Sequence, residues 1–122
     1  MQESAVFVVS EDAAVRDSVK DLVESAGMQV ETFSSLQAFL DAAPTGRQVC
    51  LILDTNGGLL RDPERWATLA TACARTPTLL ITDRGDVPVA VRAVRAGAVD
   101  VVEKPYRDQN LLDSINKVIG QT

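Results

Sequence analysis

The sequence has no histidine, few aromatic residues and no basic block. Without histidine the chain lacks the commonest general base and the commonest transition-metal ligand, so a partner must supply any catalytic histidine. Aromatic residues make up only 4% of the chain, which disfavours a stacking surface for flavins or nucleobases. The net charge is -5 and no basic block occurs. Because phosphate contacts need clustered lysine and arginine, we expect no direct nucleic-acid binding by this segment.

Long apolar runs and paired cysteines are also absent. No stretch approaches the roughly 18 to 20 apolar residues of a membrane span, and the start MQESAVFVV lacks the basic region of a signal peptide. Cys50 and Cys73 form no CxxC pattern and lie in apolar sequence, so we interpret them as small reduced hydrophobic residues. These features predict a cytoplasmic protein without membrane contact. The 122 residues, 46% of them hydrophobic, match the size of one domain.

The chain does contain a regular alternation of short apolar runs and helical stripes. Apolar runs predict strands at residues 5–9, 28–33, 49–53, 78–81 and 99–102. Helix starts are predicted at Asp12, at Ser34 or Ser35, at Asp62 followed by Pro63, near Val87 and at Asp108. Buried stripes are predicted at Val15, Val19, Leu22, Val23 and Ala26, at Leu36, Phe39, Leu40 and Ala43, at Trp66, Leu69, Ala70 and Cys73, and at Leu111, Leu112, Ile115, Val118 and Ile119. Gly27, Gly97 and the pair Pro44 and Gly46 are predicted helix ends.

Five strand–helix units in strict alternation predict a parallel sheet, because each right-handed crossover returns the chain to a parallel strand. We therefore predict an α/β fold of the flavodoxin-like (βα)5 type, a doubly wound five-stranded sheet in the order 2-1-3-4-5. Ligands of such sheets bind outside the carboxyl ends of the strands. The residues at those ends are the candidates for function.

Polar side chains follow four of the predicted strands. The stretch CLILDTNGG, residues 50–58, brings an apolar run directly to Asp54. Ser10 and Glu11 follow the first strand, Thr82 the fourth and Lys104 the fifth. Taken singly, each is an ordinary strand-end residue. Together, the acids are suited to Mg²⁺, and the lysine and threonine to a phosphoryl group.

The next residue, Asp12, has a simpler interpretation. We favour it as the cap of the first helix, past the site.

Nearly the whole chain resembles the receiver domain of bacterial two-component response regulators, especially the branch of nitrogen-fixation regulators. The segments that carry the resemblance are VFVVSED, LILD, LLIT and GDVPVAVRAVRAGAVDVVEKPY. The resemblance implies that Asp54 is the phospho-acceptor, Lys104 the phosphate-binding cation, Thr82 the switch hydroxyl, Glu11 a direct metal ligand and Asn56 a metal ligand through its backbone carbonyl. It also implies a cis peptide bond before Pro105.

The resemblance further implies Mg²⁺ as cofactor and, as phosphodonor, a phosphohistidine on a sensor histidine kinase or a phosphotransfer protein. It implies a signalling protein and no enzyme beyond its own phosphorylation and dephosphorylation. Residues 1–122 would form a single receiver domain, the N-terminal part of a longer regulator with a helix-turn-helix output domain that controls transcription. Helix 4, strand 5 and helix 5 would form a homodimer face with charges at Arg92, Arg95, Asp100 and Glu103, although a solvated surface explains these charges equally well.

Several positions depart from the receiver pattern. The usual acidic pair is here Ser10-Glu11, which removes one charge and lengthens the remaining ligand, so Mg²⁺ affinity should fall. Asp83 adds a negative charge where the donor approaches, and Val101 replaces the switch aromatic. Asn56 and Arg84 stand where the family tunes hydrolysis of the phosphoryl group. Gly57 and Gly58 replace a more rigid loop.

Those departures keep a second function open, a receiver-like module that binds a protein partner without phosphorylation. A remote alternative is a haloacid-dehalogenase-type phosphatase, which also uses a strand-end aspartate. That class needs a second acid two residues after the nucleophile, where this chain has Asn56. A flavodoxin-like electron carrier is weaker still, because aromatic residues are few and a phosphate loop of serine and threonine is missing.

Overall fold

The computed structural model describes residues 5–42, 48–55 and 63–120. In these ranges strands and helices alternate along the chain as the apolar pattern predicts. The strands are β1 (Ala5–Val9), β2 (Gln29–Phe33), β3 (Gln48–Asp54), β4 (Thr78–Thr82) and β5 (Asp100–Glu103). The helices are α1 (Ala13–Ser25), α2 (Leu36–Ala42), α3 (Pro63–Arg75), α4 (Val87–Arg95) and α5 (Asp108–Ile119).

All paired strands are parallel, and the sheet has the predicted order β2-β1-β3-β4-β5. The central strands are continuous apolar runs because helices cover both of their faces. Every residue of β4 is buried, whereas the edge strand β2 is only partly buried. The register pairs Val9 with Leu53 and Asp54 with Ile81, so the carboxyl ends of the central strands meet at one edge.

Alternate residues of the strands build two cores, one on each face of the sheet. Phe7 and Leu53 face one core, which α2, α3 and α4 cover through residues such as Phe39, Leu69 and Ala93. The other core contains the intervening strand residues, covered by α1 and α5. Its buried members are Val6, Val8, Val19, Val23, Cys50, Ile52, Leu79, Ile81, Leu111, Ile115 and Val118.

Local hydrogen bonds explain the helix ends. The Asp12 carboxylate accepts from the Ala14 amide at 2.9 Å, which confirms the predicted cap of α1. Gly27 follows the C-terminus of that helix with a φ of +86°, as predicted for a glycine cap. The Ser35 hydroxyl caps α2 by accepting from the Ala38 amide at 3.0 Å. The predicted cap Asp62 and the predicted end at residues 44–46 lie outside the described residues.

Two predicted core positions are wrong. Ala26 is exposed, because it is already the C-cap of α1, where the helical register ends. Ala70 is also exposed, since the buried arc of α3 runs through Trp66, Leu69 and Ala72 and leaves Ala70 on its margin. Ala43 lies outside the described residues.

The described helices are all too short or too polar to cross a membrane. Both cysteines are free thiols, as expected. Burial raises the pKa of the Cys50 thiol to about 12. It also raises the pKa of Cys73, which a hydrogen bond with Thr78 opposes.

Candidate functional site

Asp54 is the last residue of β3, and its side chain is 1% exposed. Both of its carboxylate oxygens have a partner. The Lys104 ammonium lies 2.7 Å from Oδ1, and the Ser10 hydroxyl donates a 2.8 Å hydrogen bond to Oδ2. A buried carboxylate needs such partners, because an unpaired charge in the interior is costly.

Lys104 reaches Asp54 from the end of β5. Its backbone amide donates to the Thr82 carbonyl at 2.8 Å, and a cis peptide bond to Pro105 follows, as the resemblance implied. The Lys104 side chain is 27% exposed. Within the described residues Oδ1 has no aligned hydrogen-bond donor, so its contact with Lys104 is an ion pair. The lysine therefore supplies mainly charge.

Ser10 is fixed in place by the start of α1. It is 1% exposed, and its Oγ accepts from the Asp12 amide at 3.1 Å while it donates to Asp54. The Arg16 guanidinium donates to the Ser10 carbonyl at 2.6 Å. These contacts hold the hydroxyl toward the Asp54 carboxylate. The sequence pattern marked Ser10 only as a lost acid and did not reveal its hydrogen bond or the part of Arg16.

Glu11 occupies the surface beside this site. Its side chain is 56% exposed and pairs with Arg65 of α3 at 3.4 Å. An exposed pair of this kind contributes little to stability, typically about 0 to 1 kcal/mol. Ser10, and not Glu11, thus contacts Asp54 in this structure. Arg65 was not among the predicted site residues, because only the fold brings α3 beside the start of α1.

The two threonines near Asp54 differ in their hydrogen bonding. Thr82, the last residue of β4, is fully buried, and its Oγ1 has no hydrogen-bond partner within the described residues. Thr55 donates to the Ile81 carbonyl through both its hydroxyl and its amide, each at 2.9 Å. The Thr82 hydroxyl is therefore the one that a new acceptor could recruit at low cost.

The loop between β4 and α4 carries two of the predicted modulators. Asp83 and Arg84 are both exposed. The Gly85 amide donates to the Glu103 carboxylate at 2.7 Å, which ties this loop to the end of β5. The Glu103 carboxylate is thus engaged in a hydrogen bond within the chain, although the sequence suggested it for an interface.

Residues of β5 and the segment after it complete the surroundings of the site. Val101 is half-buried against the core on the α4 face. Burial, followed by the negative charges of Asp54 and Asp108, raises the pKa of Tyr106. The Asp54 charge is thus one cause of the raised pKa of Tyr106, after burial.

In chemical type, the oxygens of Asp54 and Glu11 fit Mg²⁺, which proteins usually bind through one or two carboxylates, with water and phosphate completing the shell. These two carboxylates are, however, a small set of protein ligands. The described residues contain no group of three His, Cys, Asp or Glu side chains that could hold a metal ion. Asn56, a predicted backbone ligand, lies outside the described residues.

The α4 surface is more apolar than the sequence suggested. Val87, Val91 and Val94 are 62%, 46% and 54% exposed and follow one another at helical spacing. The charges expected at this face are partly engaged within the chain. Arg92 lies over Trp66, and Asp100 pairs with Lys117 at 3.8 Å.

Comparisons with known proteins identify the family of this chain. A model of the response regulator receiver domain matches residues 6–116. The transcriptional regulatory protein FixJ of Bradyrhizobium diazoefficiens is 40% identical over 116 residues, covering 95% of this chain and 57% of that protein. The response regulator protein TmoT of Ectopseudomonas mendocina is 36% identical over 118 residues, covering 97% of this chain and 54% of that protein. The chain thus spans little more than half the length of these relatives.

Solved structures give the same result. The crystal structure of FixJ-N has a TM-score of 0.82 and 34% identity, covering 100% of this chain and 98% of that one. Full-length FixJ from B. japonicum has a TM-score of 0.81 and 39% identity, covering 99% of this chain and 60% of that one. Receiver domains are signalling domains that interact with histidine kinases or phosphotransfer proteins. The chain belongs to the response-regulator receiver family of two-component systems, and its relatives include transcriptional regulators.

Proposed function

We propose that this receiver accepts a phosphoryl group on Asp54 from a phosphohistidine of a sensor kinase or phosphotransfer protein. The observation that carries the proposal is the pairing of the Asp54 carboxylate with the Lys104 ammonium, 2.7 Å apart, at the carboxyl edge of the sheet. A nucleophilic carboxylate needs a rigid position and an adjacent cation for the incoming phosphoryl oxygens. Both are present at the end of β3.

In the proposed transfer, a bond forms between an Asp54 oxygen and phosphorus while the bond from phosphorus to the donor nitrogen breaks. The product is an acyl phosphate on Asp54. The donor nitrogen keeps the electron pair of the broken bond and takes a proton from solvent, which leaves a neutral imidazole. The Lys104 ammonium shifts from the carboxylate toward the phosphoryl oxygens. Mg²⁺, held by Asp54, Glu11 and the Asn56 carbonyl, would neutralise further phosphoryl charge. Hydrolysis would return Asp54 and inorganic phosphate.

Thr82 is the proposed responder to phosphorylation. Its buried hydroxyl has no described partner, and a phosphoryl group offers new acceptor oxygens close to the end of β4. Movement of Thr82 would reach α4 through the loop that Glu103 holds at Gly85. We propose that Asp83 and Arg84, which are exposed in this loop, modulate donor access and phosphoryl lifetime together with Asn56. Val101 supplies no aromatic ring for the transition.

The relatives are the basis of our proposal for the output of this receiver. FixJ and TmoT are longer than this chain, and FixJ is a transcriptional regulator. We propose that the chain is the receiver part of a longer regulator with a helix-turn-helix output domain. The face formed by α4, β5 and α5, with its exposed valines, would then dimerise or contact that domain.

The test is intact-protein mass spectrometry after incubation with acetyl phosphate and Mg²⁺. The protein without substitutions should gain the mass of one phosphoryl group, and Asp54→Ala should gain none. Asp12→Asn is the matched control, because asparagine preserves the helix cap and changes a carboxylate at the same rim. Labelling of Asp54→Ala, or equal loss of labelling in Asp12→Asn, would contradict the assignment to Asp54.

One observation favours a second candidate, a module that binds its partner without phosphorylation. Both Asp54 oxygens are already engaged, one by Lys104 and one by Ser10. If no adduct forms under conditions that label a standard receiver, this second function replaces the first.

A further inference from the structure

Ser10 makes a contact that a metal-ligating acid at this position could not make. Its hydroxyl donates to Asp54 Oδ2 at 2.8 Å, whereas an ionised carboxylate has no proton to donate. Ser10 and Asp54 are each 1% exposed, so solvent does not screen this hydrogen bond. We infer that Ser10 is a positioning residue that competes with Mg²⁺ for the Asp54 carboxylate and thereby sets the cation dependence of this receiver.

The competition follows from the number of partners around Asp54. Lys104 lies at Oδ1 and Ser10 at Oδ2, so a cation that binds Asp54 must displace one of them or share its oxygen. The Ser10 hydroxyl cannot turn away freely. Its Oγ accepts from the Asp12 amide at 3.1 Å, and Arg16 holds its carbonyl at 2.6 Å.

The ion pair between Glu11 and Arg65 makes the Glu11 carboxylate less available to a cation. Glu11 pairs with Arg65 at 3.4 Å and is 56% exposed. Recruiting Glu11 to a cation would break this pair, although its exposure makes that cost small. Ser10 is therefore the stronger of the two restraints, because its hydrogen bond is buried and reaches a charged acceptor.

This inference rests on the proposed function, because it concerns the cation of the same site. Competition by the Ser10 hydroxyl and the simple loss of a metal ligand at position 10 predict different effects of removing the hydroxyl. If Ser10 were only a missing acid, its replacement by alanine would leave Mg²⁺ affinity unchanged or lower. If the hydroxyl competes with the cation, alanine at this position raises the affinity.

The experiment is a calorimetric titration of MgCl₂ into the 122-residue chain and into Ser10→Ala, Ser10→Thr and Ser10→Asp, with Asp54→Ala as the control for the site. We expect Ser10→Ala to bind Mg²⁺ about fivefold more tightly than the unmodified sequence, since it releases a hydrogen bond to a charged oxygen. Ser10→Thr keeps the hydroxyl and should restore the original affinity. Ser10→Asp adds a carboxylate ligand and should bind most tightly.

Each other outcome overturns the inference. Equal or weaker binding by Ser10→Ala, with Ser10→Asp still improved, means that Ser10 is only a missing ligand. Binding that persists in Asp54→Ala places the cation elsewhere. Absence of binding by all variants means that there is no Mg²⁺ site at Asp54. Far-ultraviolet circular dichroism of each variant checks that it is folded. None of these readouts uses phosphorylation, so failure of the inference and failure of the proposed function are distinguishable.

Discussion

The Arg92 guanidinium of α4 lies 4.3 Å from the ring centre of Trp66 on α3. This cation–π contact joins the helix that follows the Thr82 loop to a helix on the same face of the sheet. Trp66 is 7% exposed and is the only tryptophan of the chain. Its fluorescence therefore reports on the position of α4.

We predict that phosphorylation changes the emission of Trp66, because movement of α4 alters the contact with Arg92. Fluorescence before and after incubation with acetyl phosphate measures the change, and Asp54→Ala should give none. Arg92→Met should remove most of the change while the phosphoryl adduct still forms. Constant emission in a fully labelled sample would mean that α4 keeps its position against α3.

Thr82 and Thr55 form a matched pair for testing the unpartnered hydroxyl. Thr82→Val removes a buried hydroxyl without a described partner, so the free energy of unfolding should stay within about 0.5 kcal/mol or rise. Thr55→Val removes the hydrogen bond to the Ile81 carbonyl and should cost about 1 kcal/mol. Urea denaturation of both variants measures the difference. A greater loss for Thr82→Val would mean that its hydroxyl has a partner.

Tyr106 is the only tyrosine and can report the charge of Asp54. Burial is the largest cause of its raised pKa, and the Asp54 charge is the next. Asp54→Asn should therefore lower the pKa of Tyr106 but leave it above the ordinary value of 10.0. Phenolate absorbance during an alkaline titration measures this shift. An unchanged titration would mean that the two groups do not interact.

The same raised pKa predicts a pH dependence of stability. The unfolded chain loses the Tyr106 proton near pH 10.0, and the folded chain only at higher pH. The contribution to the free energy of unfolding is therefore complete below pH 10.0 and is lost as the pH rises through the folded pKa. Tyr106→Phe should make this alkaline loss smaller in urea denaturation at several pH values. Cys50 and Cys73, whose pKa values are also raised, remain in both proteins and contribute equally.

Gly97 tests a close approach between α4 and α3. Its φ is +115°, and a Cβ there would lie 3.0 Å from the Cys73 Cβ. Gly97→Ala should cost about 2 to 3 kcal/mol, from backbone strain and the contact together. Gly27→Ala is the control, because its φ is +86° with open space around it, and strain alone should cost about 1 kcal/mol. Equal losses in urea denaturation would contradict a tight contact at Cys73.

The exposed valines of α4 test the proposed dimer face. Val91→Asp should weaken self-association of the phosphorylated protein, because it places a charge within the apolar stripe. Ala67→Asp, at an exposed position of α3, should have no effect. Sedimentation velocity measures both. Dimerisation that survives Val91→Asp would place the interface on another surface.

Much of the fold was predictable because it depends on periodicity and on local caps. The alternation of apolar runs and helical stripes predicted the strand order, and Asp12 was recognisable as a cap from its place before a helix. The errors at Ala26 and Ala70 arose where a helix ends and at the margin of its buried arc. There, one residue of register decides whether a side chain is exposed.

The candidate site was predictable only as a set of residues. By itself, the sequence determined that Asp54, Thr82 and Lys104 lie at the ends of strands, which brings them to one edge of a parallel sheet. Only the tertiary structure decided their partners. Ser10 bonds to Asp54 across 44 positions of the chain, and Glu11, its neighbour, turns instead to Arg65. The reason is geometric: periodicity assigns a side chain to a face of its own element, whereas hydrogen bonds and ion pairs depend on distances between elements that only the packed fold sets.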